Sequence, residues 1–222
     1  MEKVIIFGGK GTAVVVAEQI YDAQVKHKAD IEFLGFAFDD ETYGSEINGF
    51  PVLAKTTEVY EKYKNDDDVK FVFQMYRQDI LPERIKLRES YGIPEDRFFT
   101  FVHPTCTVAR SASIGAGTLI MANTVINPNV KIGKFCTFQS NALVGHDAII
   151  GDNNFIAAHA IVANLTMGNR NFIGINASTN NFITIGDDCF VAMGSNVIKS
   201  IETGAKVMGN PAKPFTSKIR AF

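Results

Sequence analysis

Hydrophobic spacing along this chain changes once, near His103-Pro104. Before that point short apolar runs alternate with helical patterns. Val4-Ile5-Ile6-Phe7 predicts a buried strand, Ala13 to Val25 a helix, and Ile31 to Phe38 a second strand closing on Asp39-Asp40. A helix pattern covers Thr57 to Tyr63, a third strand Val69 to Phe73, and a further amphipathic helix Leu81 to Tyr91, with Pro82 at its start. Strands alternating with helices predict a parallel sheet, with ligands at the carboxyl ends of its strands.

After His103-Pro104 the period becomes six. Val102, Val108, Ile114, Ile120, Ile126, Ile132, Phe138, Val144, Ile150, Ile156 and Val162 are all bulky and apolar. After one five-residue step the register resumes at Met167, Ile173, Thr179, Ile185, Val191, Val197 and Thr203. Four residues further along each hexad lies a mostly small column: Cys106, Ala112, Thr118, Thr124, Val130, Cys136, Ala142, Ala148, Asn154, Ala160, Thr166, then Ala177, Cys189 and Ser195. Glycine follows the bulky position at Gly115, Gly133, Gly145, Gly151, Gly168, Gly174, Gly186 and Gly204. Such hexads predict a β-helix of about six triangular coils, with the bulky residue pointing inward and the small one beside it under the turn.

Charge follows the same boundary. The chain of 222 residues has net charge −2, but residues 1–101 carry 13 Lys/Arg against 19 Asp/Glu, and residues 102–222 carry 9 against 5. Two domains are therefore predicted, 1–101 and 102–222, the first acidic and the second basic. Overall near-neutrality disfavours nucleic acid and anionic lipid as partners. No apolar run approaches the ~20 residues that span a bilayer, and the opening residues do not read as a leader, so the expectation is a cytoplasmic protein. The three cysteines, Cys106, Cys136 and Cys189, form no CxxC pair and all fall in the small column, so they are read as packing residues.

The hexad array, the α/β segment opening with Val4-Ile5-Ile6-Phe7-Gly8-Gly9-Lys10-Gly11, the stretch Val144-Gly145-His146-Asp147-Ala148-Ile149-Ile150-Gly151-Asp152 and the closing Gly209-Asn210-Pro211-Ala212-Lys213 together resemble the bacterial sugar O- and N-acetyltransferases of the sialic-acid and bacillosamine type. The resemblance implies an α/β plus all-β chain: a Rossmann-like parallel α/β domain, then a left-handed parallel β-helix, an exception to the right-handed crossover rule. It also implies a homotrimer, acetyl-CoA in the groove between two prisms, no metal, and a nucleotide-linked amino sugar held by the first domain.

Acetyl transfer to an amine needs a proton acceptor, a donor to the thioester carbonyl, and close placement of the two. His146 matches the family's general base, and Asp147 stands where relatives orient that base, although neighbouring side chains in an extended strand diverge. His159 departs from the family's His-x-x-Pro-Gly pattern, and is either an acetyl-CoA or substrate contact or a packing residue at a subunit seam. Asn164, eighteen residues after His146, is the candidate oxyanion donor through its amide, and Asn141 could line the same groove. His27, among lysines at a helix end, and His103, at the domain junction, read as structural.

Gly8-Gly9-Lys10-Gly11 fails the full G-x-G-x-x-G fingerprint yet still forms a tight strand-to-helix turn able to hold a phosphate. Asp39 and Asp40 stand where relatives contact base or ribose, and Tyr76 and Arg77 could also reach a sugar nucleotide. Gly209 to Ala212 caps the array, and Lys213, Lys218 and Arg220 would suit the CoA 3′-phosphate. Two rival classes remain: a sugar O-acetyltransferase, which would use the same base, and a zinc lyase of carbonic anhydrase type, which would need closely spaced histidines. A non-catalytic binding solenoid should show an outward threonine ladder, and none is visible.

Overall fold

The computed structural model describes residues 1–216, which form two compact units, Met1–Phe99 and the residues from Thr100 onward. In the first unit, β1 (Glu2–Phe7), α1 (Thr12–His27) and β2 (Ile31–Ala37) form a strand-helix-strand crossover. It is followed by β3 (Glu46–Ile47), β4 (Phe50–Ala54), α2 (Val59–Tyr63), β5 (Val69–Phe73) and α3 (Leu81–Ser90). The sheet order is β3-β4-β2-β1-β5, parallel throughout except for the β3–β4 pair. Val4, Ile5, Ile6 and Phe7 are wholly buried, as a strand covered on both faces requires. Helix α1 ends at Lys28, which turns left-handed (φ 57°) and returns its N–H to the Ala23 carbonyl.

The β3–β4 hairpin was not among the elements read from hydrophobic spacing. Its signal is Asn48-Gly49, both at positive φ (51° and 79°), the pair a tight hairpin turn prefers. Two strands too short to show alternation hid it.

The second unit is a three-sided parallel β-helix. The first face stacks the two-residue strands Thr107–Val108, Val125–Ile126, Leu143–Val144, Ile161–Val162, Ser178–Thr179 and Asn196–Val197. The second stacks Ser113–Ile114, Lys131–Ile132, Ile149–Ile150, Thr166–Met167 and Thr184–Ile185. The third runs from Phe101–Val102 to Phe190–Val191 and continues through Lys206–Met208. Each strand bonds to the one a coil away, Val125 to Thr107 and to Leu143 for example. The second residue of each strand fills the prism, and burying each such Val or Ile is worth ~1.5–3 kcal/mol.

Most corners turn through a left-handed residue three positions after the bulky one. Asn123, Asn129, Phe135, Asn141, Asp147, Asn153, His159, Arg170, Asn176, Phe182 and Asp188 all take φ between 54° and 63°. This accounts for the asparagines, because Asn tolerates that region better than other non-glycine residues.

The structure corrects the hexad register in two places. Thr166 is exposed and Leu165 occupies the inward slot, because the turn after Val162 is one residue short. Thr203 is likewise exposed; Ile201 bridges to Ile185 and packs against the core, which moves Gly204 to the left-handed corner position. Val102, in the first coil, is 37% exposed, since coils cover it on one side only. The small column also holds Asn171 beside Asn154. Asn154 donates to the carbonyls of Gly151 (2.8 Å) and Gly168 (2.9 Å), and its oxygen accepts from the Asn171 N–H (2.8 Å). Cys136 and Cys189 are buried and Cys106 half-buried, and burial pushes the Cys136 thiol up to about 12. Among the described residues no helix is long and apolar enough to cross a membrane.

Candidate active site

His146 lies on the corner between the first and second faces, where Gly145-His146-Asp147 rounds the turn after Val144. Asp147 takes the left-handed conformation (φ 61°) and donates its N–H to the Pro128 carbonyl one coil back. That reversal swings its carboxylate to its neighbour, so the divergence of an extended strand does not apply: His146 Nδ1 and Asp147 Oδ2 are 2.6 Å apart. The other carboxylate oxygen accepts from Asn129 Nδ2 at 2.9 Å. Hydrogen bonds from His146 first and Asn129 second hold the Asp147 carboxyl below its ordinary value. An ionised carboxylate only accepts, so Nδ1 carries the proton, and in the neutral ring the lone pair is on Nε2. The His146 side chain is 66% exposed, open to a reacting group.

One coil further along this corner stands Asn164. Its N–H donates to Asn181 Oδ1 (3.1 Å) and its carbonyl accepts from the Phe182 N–H (2.7 Å). The amide nominated as an oxyanion donor is thus engaged, and that role requires Asn181 to give way. The N–H of Ala163 donates to Thr179 Oγ1 (2.9 Å), a hydroxyl that supplies an acceptor where the short turn breaks the regular ladder.

His159 is exposed on another corner, between the third and first faces. It stacks over the Asn141 turn, with its N–H on the Ser140 carbonyl. The first face separates it from His146 within this chain, so the structure does not bring the two histidines to one edge. His103 is buried, with Nδ1 against Thr105 Oγ1 at 2.8 Å. His27 lies 3.6 Å from Asp22.

In the first unit, the carboxyl ends of β1, β2 and β5 carry the other candidates. Gly8 and Gly11 take positive φ (116° and 53°), and a Cβ on Gly9 would lie 2.6 Å from Ile47 and 2.7 Å from Phe38, so the turn between β1 and α1 needs its glycines. Lys10 Nζ meets Asp40 Oδ2 at 2.7 Å and lies over the Tyr43 ring. Bonds from Lys10 and then Thr42 bring the Asp40 carboxyl down to about 2, so it is charged throughout the physiological range. Asp39 is turned away from this group: both its oxygens accept from Thr56, at 2.8 and 2.7 Å, anchoring the segment after β4. Arg77 pairs with Asp79, and the Tyr76 hydroxyl donates to Gln78. Gln74, unremarked in the sequence, is buried at the end of β5 and bonds its N–H to the Phe7 carbonyl.

At the far end of the solenoid, Gly209 to Ala212 fold over the last coil. The Gly209 N–H reaches Ser195 Oγ and the Ala212 N–H reaches the Asn196 carbonyl. Beside them is a cleft of about 510 Å³ whose lining includes Ile198, Lys199, Ile201, Pro211, Ala212 and Lys213. Lys218 and Arg220 lie outside the described residues.

Residues 111–146 and 129–164 match the family described as bacterial transferase hexapeptide (six repeats). Perosamine N-acetyltransferase from Caulobacter crescentus, solved as an H141N mutant with CoA and GDP-perosamine, superposes at TM-score 0.83 and 23% identity, covering 98% of each chain. The acetyltransferase domain of PglB from Neisseria gonorrhoeae FA1090, solved with acetyl coenzyme A, gives 0.80 and 26% over 96% of this chain and 99% of that one. Among curated proteins, UDP-N-acetylbacillosamine N-acetyltransferase of Bacillus subtilis is 30% identical over 125 residues, 55% of this chain and 52% of that protein. Gamma carbonic anhydrase 1 of Arabidopsis mitochondria is 30% identical over 128 residues, 51% and 46%. The chain spans about half the length of these two curated relatives. Over residues 111–164 the solenoid is similar to the bacterial transferase hexapeptide repeats.

Proposed function

We propose that the protein transfers the acetyl group of acetyl-CoA to the amino group of a nucleotide-linked amino-deoxy sugar of the 4-amino-4,6-dideoxy type, in the synthesis of a cell-surface glycan. The observation that carries the reading is the His146–Asp147 pair, held at 2.6 Å on an exposed corner with Asn129 bracing the carboxylate. His146 Nε2 takes the proton from the attacking amine as the new C–N bond forms. It then returns that proton to the sulfur as the C–S bond breaks, so CoA leaves as the thiol. Asp147 fixes the ring and its tautomer and stabilises the imidazolium between the two steps.

The remaining parts belong to the same reading. The solenoid is a left-handed β-helix, the first unit is a Rossmann-like domain that holds the sugar nucleotide near Gly8 to Gly11 and Asp40, and the working form is a cytoplasmic homotrimer. Support comes from the folds shared with acetyltransferases solved with CoA or acetyl-CoA and from the N-acetyltransferase among the curated relatives. The carbonic anhydrase relative matches 51% of this chain, but the closely spaced histidines a zinc site needs are not brought together within this chain, where His146 and His159 stand on different corners.

The test is to incubate the protein with acetyl-CoA and a panel of nucleotide amino-sugars and hydroxy-sugars, following free thiol. Release with an amino-sugar, reduced ~10²–10⁴-fold in His146→Ala, is expected. Release with hydroxy-sugars alone would make it an O-acetyltransferase. No release with any sugar sinks the substrate assignment, and full activity in His146→Ala sinks the mechanism.

A further inference from the structure

Two phenylalanines occupy left-handed corners of the solenoid, and packing explains only one. Phe135 (φ 54°) lies over Gly117, close enough that a Cβ there would come within 2.5 Å of its ring. Phe182 (φ 59°) is 86% exposed. Neither its backbone conformation nor its exposure suits a large aromatic residue, and at most of the corresponding corners the chain places Asn, Asp or Gly. It lies on the His146 corner, two coils beyond, with its N–H on the Asn164 carbonyl. The intervening turn, Ala163-Asn164-Leu165, is the one-residue-short turn and lacks the left-handed residue that Asp147 and Phe182 supply in their own coils, so Asn164 alone stands between the His146–Asp147 coil and the Phe182 coil on this corner.

The apolar surface continues along the same corner. Ile198, one coil beyond Phe182, is 49% exposed and also lines the cleft that holds Lys199 and Lys213. From the His146 coil to the Ile198 coil is three strand spacings, ~14 Å. A phosphopantetheine arm has the backbone length of about four extended peptide residues, also ~14 Å. It carries a thioester at one end and phosphate at the other, matching a histidine at one end of the track and two lysines at the other.

We infer that Phe182 is a binding residue for the pantetheine arm of the acyl donor, seating it along this corner so that the thioester reaches His146. The inference rests on the reading of the protein as a CoA-dependent acyltransferase. Covering one face of the ring removes roughly 60 Å² of apolar surface from water, equivalent to about tenfold in Kd.

The experiment is calorimetric titration of CoA into the wild-type protein and into Phe182→Asn, with thermal unfolding and size-exclusion elution of both. Asn suits the left-handed corner, so the variant should fold with an unfolding midpoint no lower than wild type. The expected result is Kd for CoA raised about tenfold, with elution unchanged. Equal CoA affinity overturns the assignment of Phe182, and so does a shift of Phe182→Asn to a smaller assembly, which would make the ring a subunit contact. Failure of the wild-type protein to bind CoA overturns the functional reading and this inference with it.

Discussion

Substituting Gly168 by Ala probes how the solenoid holds its corners. On the edge between the second and third faces, a side-chain oxygen of each coil accepts the N–H of the coil before. Lys134 donates to Asp152 (2.8 Å), Asp152 to Asn169 (2.7 Å), Asn169 to Asp187 (2.7 Å) and Asp187 to Thr203 (3.2 Å). Each acceptor lies in the space a Cβ would need on the glycine beneath it. At Gly168 that Cβ would be 2.1 Å from Asp187 Oδ1 and 3.0 Å from the Gly186 backbone. Gly168→Ala therefore expels the carboxylate and strips the Asn169 N–H of a charge-assisted bond worth ~1.5–3 kcal/mol. Crowding against Gly186 adds ~1 kcal/mol, and the stiffer unfolded chain returns ~0.4–1 kcal/mol. The net cost is about 2–3 kcal/mol, or roughly 5–10 °C in thermal midpoint at this chain length. The decisive assay is a double-mutant cycle by urea unfolding. In an Asp187→Ala background the bond is already gone and the oxygen absent, so adding Gly168→Ala should cost less than about 1 kcal/mol. Additive losses, within ~0.5 kcal/mol, would refute the collision and the ladder together.

The interior asparagines and the first unit give two further tests. Asn154→Ala deletes three buried hydrogen bonds and should cost ~2–4 kcal/mol in urea unfolding, about twice Asn171→Ala. Asn171 accepts from the Cys189 N–H, while its Nδ2 has no partner among the described residues; equal losses would contradict this difference. At Asp40 the folded carboxyl titrates near 2 against ~3.9 unfolded, so its pairing favours the fold above about pH 4 and that contribution is lost as pH falls through 2. A carboxyl NMR titration should find that midpoint near 2 in the wild type and raised in Lys10→Ala; a wild-type midpoint near 4 contradicts the pair.

How far the sequence carried depended on whether the interactions were periodic. A buried strand or an inward hexad slot repeats one environment, so Val69–Phe73 and the run from Val108 to Val162 were legible as spacing. Register failed where the repeat itself changes length, at Leu165 and Ile201, because a shortened turn shifts every later residue and only the stacked strands show which residue fell inward. Asn48-Gly49 was a readable turn signal, but its flanking strands were too short to show alternation.

The candidate site divides in the same way. The sequence by itself determined that His146 and Asp147 are adjacent and that Lys10 lies within a glycine turn. Only the tertiary structure decided which of these groups meet. The left-handed turn at Asp147 folds a neighbouring carboxylate back onto its histidine, stacking brings Asn129 to it from eighteen residues away, and the same stacking gives the Asn164 amide to Asn181 and leaves His159 on another corner. Spacing along a strand fixes which way a side chain points. What it touches depends on the coil above and the coil below, and that requires the closed prism.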